Sequence, residues 1–113
     1  MKLAEVLRQR VWIKESLGND TENTACIAGA LGIAMYGSIT ALYNTILKFK
    51  EGPVSTYYLE LAKLDEIAGR LFPERIMSRP ARYKSVEVNN HEDTTLDQIL
   101  KIAEEYDREV ENR

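Results

Sequence analysis

Leu3, Val6, Leu7 and Val11 recur at three- and four-residue intervals, which marks one face of a helix. This spacing predicts a helix over residues 2–14, with Trp12 near its end and Gly18, Asn19 and Asp20 stopping it. Residues 18–24 read GNDTENT, a polar loop rich in turn formers. Asn23 or Thr24 can cap a short buried helix over 25–36, because either side chain can accept a bond from first-turn amides. Ala25, Ala28, Gly29 and Gly32 are small, which lets a neighbouring backbone approach closely, and Gly37 suits the helix's C-terminal stop.

Ser38 can cap a third helix through residue 50, with Ile39, Leu42, Tyr43, Ile46 and Phe49 as its apolar face. Gly52-Pro53 ends it, and Ser55 or Thr56 starts a fourth helix carrying Tyr57, Leu61, Leu64, Ala68 and Leu71 on one side. Phe72-Pro73 closes that element. Residues 74–84 are irregular and locally basic, and 83–88 (YKSVEV) alternate weakly. One short strand near 84–88 would have no sheet of its own, so it either pairs with another chain or is simply extended. Thr95-Leu96-Asp97-Gln98 is a capping-box pattern. The stripe behind it is the clearest in the chain: Leu96, Ile99, Leu100, Ala103, Tyr106 and Val110. The expected architecture is a mainly α, compact bundle of about five helices with that short strand, residues 1–113 forming a single domain.

Composition narrows the function classes. The 113 residues include 15 Lys or Arg and 18 Asp or Glu, for a formal charge of −3. This excludes a generally basic nucleic-acid coat and argues against a nucleic-acid partner. Cys26 is the only cysteine, so an internal disulfide and a cysteine-based zinc site are both excluded. A lone thiol suits a reducing compartment. The longest apolar stretch, 25–36, falls short of the roughly 20 residues a membrane span needs. The expectation is a soluble, cytoplasmic protein with no membrane contact.

Candidate chemistry concentrates at the loop before the second helix. Asp20 and Glu22 lie beside the hydroxyls of Thr21 and Thr24. Hard oxygen ligands of this kind suit Mg²⁺ or Ca²⁺, and a helix start offers amides to a phosphate. The same residues also fit a solvated loop with a capped helix behind it. Residues 18–37 resemble the metal-binding segment of ADP-ribosylglycohydrolases, which reads Gly-Gly-Asp-Thr-Asp-Thr and then Ala-Ile-Ala-Gly-Ala-Leu. Asp20 and Thr21 match, while Glu22 and Asn23 depart from it. The acids which that family draws from an earlier segment have no counterpart upstream. The resemblance therefore implies a ligand-contacting loop without a complete hydrolase centre.

A second resemblance spans nearly the whole chain. Trp12, the Cys26-Ile27-Ala28-Gly29-Ala30-Leu31 run, Val88-Asn89-Asn90, and Thr95 followed by Ile99-Leu100 resemble a family of small phage and actinobacterial proteins of unknown function. In that family the third element is Trp-Asn-Asp-like, so Val88 and Asn90 are departures. The resemblance implies a compact, mostly helical domain with no established activity.

The remaining candidates each have an ordinary structural reading beside the chemical one. Arg75, Arg79, Arg82 and Lys84, with Tyr83, form one basic cluster. It is suited to phosphate or to a solvated loop balancing the acidic helices. His91, among Asn89, Asn90, Glu92 and Asp93, reads as a base or ligand or as an exposed loop residue. Cys26 reads as a nucleophile lowered by a helix start or as an inert buried thiol. Tyr57 and Tyr58 are adjacent and cannot both face the core of one helix.

The leading expectation is a small binding protein of phage or mobile-element type that engages a protein partner, without catalytic residues, cofactor or resident metal. A rival expectation is a nucleotide or ADP-ribose-like binder that joins Asp20, Thr21, Glu22 and Thr24 to Arg75, Arg79 and Arg82 around one phosphate, with Mg²⁺ as the one metal the loop would suit. A weaker rival is a glycohydrolase-like hydrolase, which requires at least three acids in one pocket.

Overall fold

The computed structural model describes residues 1–48, 53–77 and 83–112. Six α-helices account for most of these: α1 (Leu3–Gln9), α2 (Ile27–Tyr36), α3 (Ile39–Lys48), α4 (Pro53–Leu71), α5 (Lys84–Asn90) and α6 (Leu96–Glu111). A single 3-10 turn, Pro73–Arg75, follows α4. Three two-residue strands, β1 (Val11–Trp12), β2 (Gly18–Asn19) and β3 (Thr24–Ala25), form a small sheet in the order β1-β3-β2. β1 runs parallel to β3 with Trp12 opposite Ala25, and β2 runs antiparallel to β3 with Gly18 opposite Ala25. The fold is mainly α with short strands.

β1 and Ala25 of β3 lie where the sequence pattern suggests helix, β2 and Thr24 lie in the expected polar loop, and the helix α5 lies where the pattern suggests a strand. The first helix ends at Gln9 rather than at residue 14, because Val11 N–H donates to the Asn23 carbonyl (2.8 Å) and Ile13 N–H to the Ala25 carbonyl (3.1 Å). Those bonds draw the chain into the sheet. Thr24 and Ala25 are extended in turn, so Cys26 rather than Asn23 or Thr24 is the N-cap of α2, its sulfur accepting from Gly29 N–H at 3.4 Å. Residues 84–88 are helical because the one-residue alternation is incidental. Ser85 and Val88 are three apart and fully buried, and Asn89 beside them is buried too. That spacing is the helical one.

Elsewhere the pattern and the structure agree more closely, although α4 begins at Pro53 rather than at Ser55 or Thr56. Gly37 takes a left-handed conformation (φ 100°) and returns its N–H to Ile33. Ser38 Oγ accepts from Ala41 N–H at 2.9 Å, capping α3. Thr95 and Gln98 form the reciprocal capping box at the start of α6. Along α6, Ile99, Ile102, Ala103 and Tyr106 are buried, while Leu96 and Val110 lie at the edge of the stripe. On α4, Tyr57, Leu61, Leu64 and Ala68 are buried as expected, joined by Ile67, whereas Leu71 is exposed. On α3, Ile39 and Leu42 are buried, but Tyr43 is 44% exposed; Phe49 lies outside the described residues.

All six helices contribute to one hydrophobic core, with Leu7, Leu31, Leu42, Leu64, Val88 and Ile99 almost wholly buried. Ile99→Ala is expected to cost about 2–4 kcal/mol through lost burial and the cavity left behind. Denaturant unfolding checks this, and a loss below about half a kcal/mol would contradict the docked position of α6.

The starts of four helices are closed by side chains from elsewhere in the chain. First-turn amides have no partner within their own helix. Asp107 on α6 accepts from Leu3 and Ala4 N–H at 2.9 and 3.0 Å, closing α1. Asn89 on α5 accepts from Ile27 N–H at 3.0 Å, closing α2. Asp20 accepts from Ile39 and Thr40 N–H at 2.9 and 2.8 Å, closing α3. Asp65 on α4 accepts from Ser85 N–H at 2.9 Å, closing α5. Three of the acids are thereby committed to architecture.

Candidate functional site

The loop that carries the expected ligand residues is built as a brace. Asp20 gives one oxygen to Ile39 N–H and Arg10 (2.8 Å), and the other to the amide and hydroxyl of Thr40 (both 2.8 Å). Burial alone would push this carboxyl up. The Thr40 and Ile39 amides, the Thr40 hydroxyl and the Arg10 guanidinium outweigh burial and hold it far below the usual carboxylate range. Thr24 Oγ1 accepts from Asn19 N–H at 2.9 Å, and Asn19 Oδ1 accepts from Glu22 N–H at 3.1 Å. Thr21 and Glu22 are exposed. The oxygens that a metal or ligand would use at Asp20 thus already serve α3.

This brace has a pH signature. A carboxyl whose folded pKa is depressed stabilises the fold above its unfolded pKa, about 4, and that stability is lost as pH falls through the lower folded value. Asp20→Ala is therefore expected to cost about 2 kcal/mol at pH 7. The deficit should shrink as both proteins are taken from pH 5 towards pH 2, which urea unfolding at each pH measures.

Arg75 does not meet that loop. Its guanidinium donates to Thr94 Oγ1 (2.7 Å) and Gln98 Oε1 (3.0 Å), lies over the Phe72 ring (5.9 Å) and sits 3.9 Å from Glu74. It ties the turn after α4 to the start of α6. Arg79 and Arg82 lie outside the described residues. His91 Nδ1 accepts from Asp93 N–H at 3.1 Å within the turn before α6, and its carbonyl accepts from Lys14 Nζ at 2.6 Å. Cys26 is buried, and that burial pushes its thiol up. Among the described residues, no group of three or more His, Cys, Asp or Glu is placed to hold a metal ion.

Sequence reading missed the polar junction at Asn89. This side chain is fully buried and uses both ends. Its Oδ1 accepts from Trp12 Nε1 (2.7 Å) and Ile27 N–H (3.0 Å); its Nδ2 donates to the Ile13 carbonyl (3.1 Å) and Asn90 Oδ1 (3.2 Å). It joins β1, α2 and α5 and leaves no capacity for a ligand. No protein-family model matches the chain, and neither a curated protein nor a solved structure matches it. The site therefore rests on the geometry of this chain.

One of the clefts among the described residues, of about 170 Å³, is lined by apolar and aromatic side chains. Leu17, Ala28 of α2 and Ile46 of α3 supply part of its lining. The rest comes from Tyr57, Tyr58 and Leu61 of α4, with Tyr83 and Val86 from the start of α5. Tyr57 is buried (3% exposed) and its hydroxyl donates to the Ala28 carbonyl at 2.8 Å; burial pushes its pKa up. Tyr58, on the adjoining face, is 40% exposed, as neighbours on a helix must be. The Tyr58 and Tyr83 rings are 18° from parallel with centroids 6.4 Å apart, and Tyr57 meets Tyr58 edge-on at 5.5 Å.

Beside this cleft, apolar side chains reach the surface. Tyr43 and Leu47 share one face of α3 with Ile46 of the lining, and Leu47 is 77% exposed. A wider groove of about 370 Å³ between α1 and α6 is charged instead. Its ions pair with one another, Lys2 with Glu111 and Arg8 with Glu104. Among the described residues, no single helix is long and apolar enough to cross a membrane.

Proposed function

We propose that this protein acts by binding a protein partner through the apolar surface of α3 and α4. The observation that carries this reading is that Tyr43 and Leu47 are exposed on the same α3 face as Ile46, which lines the aromatic cleft together with the exposed Tyr58 of α4. Large exposed apolar side chains that gather in one place mark interaction surfaces, and tyrosine is a preferred residue at such surfaces. The phage or mobile-element setting rests on the resemblance of Trp12, Cys26–Leu31, Val88-Asn89-Asn90 and Thr95 to that family.

The nucleotide and hydrolase readings draw less support. A phosphate needs unspent donors or cations and Mg²⁺ needs carboxylate oxygens, yet Arg75 is committed to Thr94 and Gln98 and Asp20 to α3. Photo-crosslinkers installed at Leu47 and Tyr58 in cells of the native host test the leading reading. One discrete protein adduct is expected from both positions, lost on Tyr43→Glu and absent from a crosslinker at Lys101 on α6. Equal adducts at all three positions would overturn it. Titration calorimetry with ADP-ribose, with and without Mg²⁺, is expected to give no heat; heat that disappears in Asp20→Ala would establish the nucleotide reading instead.

A further inference from the structure

Independently of the apolar surface, we infer that residues 14–17 form a strap that opens as a local unit while the core stays folded, latched by the end of α5 and the turn behind it. Topology is the first reason. Trp12 of β1 and Gly18 of β2 both lie opposite Ala25, on either side of β3. The connection between them therefore crosses the end of β3, where the chain passes through Cys26 into α2. Both ends of this crossing are held in the sheet, by the Ile13 amide on the Ala25 carbonyl (3.1 Å) and by the pairing of Gly18 with Ala25.

The contacts that close the strap are the second reason. Lys14 and Leu17 are half-buried, and Glu15 and Ser16 are exposed. Lys14 Nζ donates to the carbonyls of His91 (2.6 Å) and Glu92 (3.4 Å), and the Glu15 amide donates to Asn90 Oδ1 (2.7 Å). At the other end, the Leu17 carbonyl accepts the Cys26 N–H (3.1 Å) and lies against Gly29, where an added Cβ would stand 1.9 Å from it. Water replaces these polar partners when the strap lifts, and within residues 14–17 only Leu17 draws an apolar side chain off the core. Closure also holds Glu15 at φ 67°, a left-handed conformation that disfavours every L-residue except glycine and its few tolerant neighbours Asn and Asp. Segments with little buried apolar surface and exposed hydrogen bonds are the first to open in a folded domain. Opening lifts Leu17 from Gly29 and bares the start of α2, so a contact made at residues 90–92 acts on the start of α2 through the latch.

Native-state hydrogen exchange of the full chain, read amide by amide by NMR in low urea, is the test. Protection of the Glu15 and Cys26 amides is expected to be at least about a hundredfold lower than that of the mid-helix amides of Leu31 and Ile102. It should also be independent of urea, because a local opening exposes little surface, whereas Leu31 and Ile102 exchange faster as urea rises. Cys26 decides the matter: it is buried, so its amide exchanges locally only if Leu17 lifts away. Asn90→Ala, which removes the latch acceptor, should speed Cys26 exchange about tenfold and leave it independent of urea. Glu15→Asn, which suits the left-handed conformation, should slow it about threefold. Cys26 exchange that follows Leu31 through the urea series would overturn the strap, even with Glu15 exchanging fast, since only the tip would then move. Cys26 exchange unchanged by Asn90→Ala and Glu15→Asn would overturn the latch.

Discussion

Asn89→Ala is expected to lower stability by about 3–4 kcal/mol. Truncation strands the Trp12 indole N–H, the Ile27 amide and the Ile13 carbonyl at once, around a side chain with no solvent exposure. Each stranded buried group costs roughly 1–3 kcal/mol, and partial hydration of Trp12, which is half-buried, keeps the sum below the upper limit. Trp12→Phe removes one donor and leaves the other bonds intact, so it should cost less. Asn89→Asp keeps the acceptor for Trp12 and Ile27 but turns the donor end into an oxygen facing the Ile13 carbonyl. The introduced carboxyl would be favoured in its protonated form, with a folded pKa above its unfolded value. Its damage should ease as pH falls from 7 towards 4. Urea unfolding of the three variants at both pH values checks the ranking and the sign.

Gly29→Ala is expected to cost about 3 kcal/mol even though alanine is the better helix former. A Cβ at Gly29 would sit 1.9 Å from the Leu17 carbonyl oxygen and 2.8 Å from its carbonyl carbon. That oxygen accepts the Cys26 N–H at 3.1 Å, so backbone must move and a hydrogen bond beside the sheet must stretch. Gly32 makes the informative comparison. Its added Cβ would meet the Leu42 side chain, at 2.4 Å from Cδ2, and a leucine can change rotamer where a peptide group cannot. Gly32→Ala should therefore cost clearly less than Gly29→Ala. Thermal and urea unfolding of the pair measures the difference, and equal losses would contradict the distinction between backbone and side-chain neighbours.

The same two glycines show what a sequence can convey. Small residues at Ala25, Ala28, Gly29 and Gly32 announce close approach, and close approach is found. Yet the neighbour is a helix side chain at Gly32 and a strand-edge carbonyl at Gly29, a difference that depends on long-range placement. Periodicity revealed α6 almost to the residue because its stripe, cap and length agree with one another. It failed at Val11–Trp12 and Thr24–Ala25, where two residues pair with a distant segment and no local pattern records the pairing. It failed again at 83–88, where a run of six allows either period.

Caps were legible where they are local, at Ser38 and Thr95, and hidden where they come from afar. Asp20 looked like a ligand residue because carboxylates in a loop before a small-residue helix suit a metal or phosphate. The helix it serves is a later one, and the amides it binds belong to Ile39 and Thr40. The tyrosine cleft was visible only in part. Adjacent Tyr57 and Tyr58 required one ring to face outward, but the arrival of Tyr83 and Ile46 beside them is a property of the packing.

Remote capping also dictates when the protein can fold as it is made. The Ile27 amide waits for Asn89, 62 residues later, and the Leu3 amide for Asp107, 104 residues later. Synthesis delivers the N-terminal end first, at a pace slow compared with helix formation. While the chain is still emerging from the ribosome, α1 and α2 must therefore open and close repeatedly without their final partners. The native arrangement becomes available only once α6 has cleared the exit tunnel, so the domain is committed to a single, late acquisition of structure.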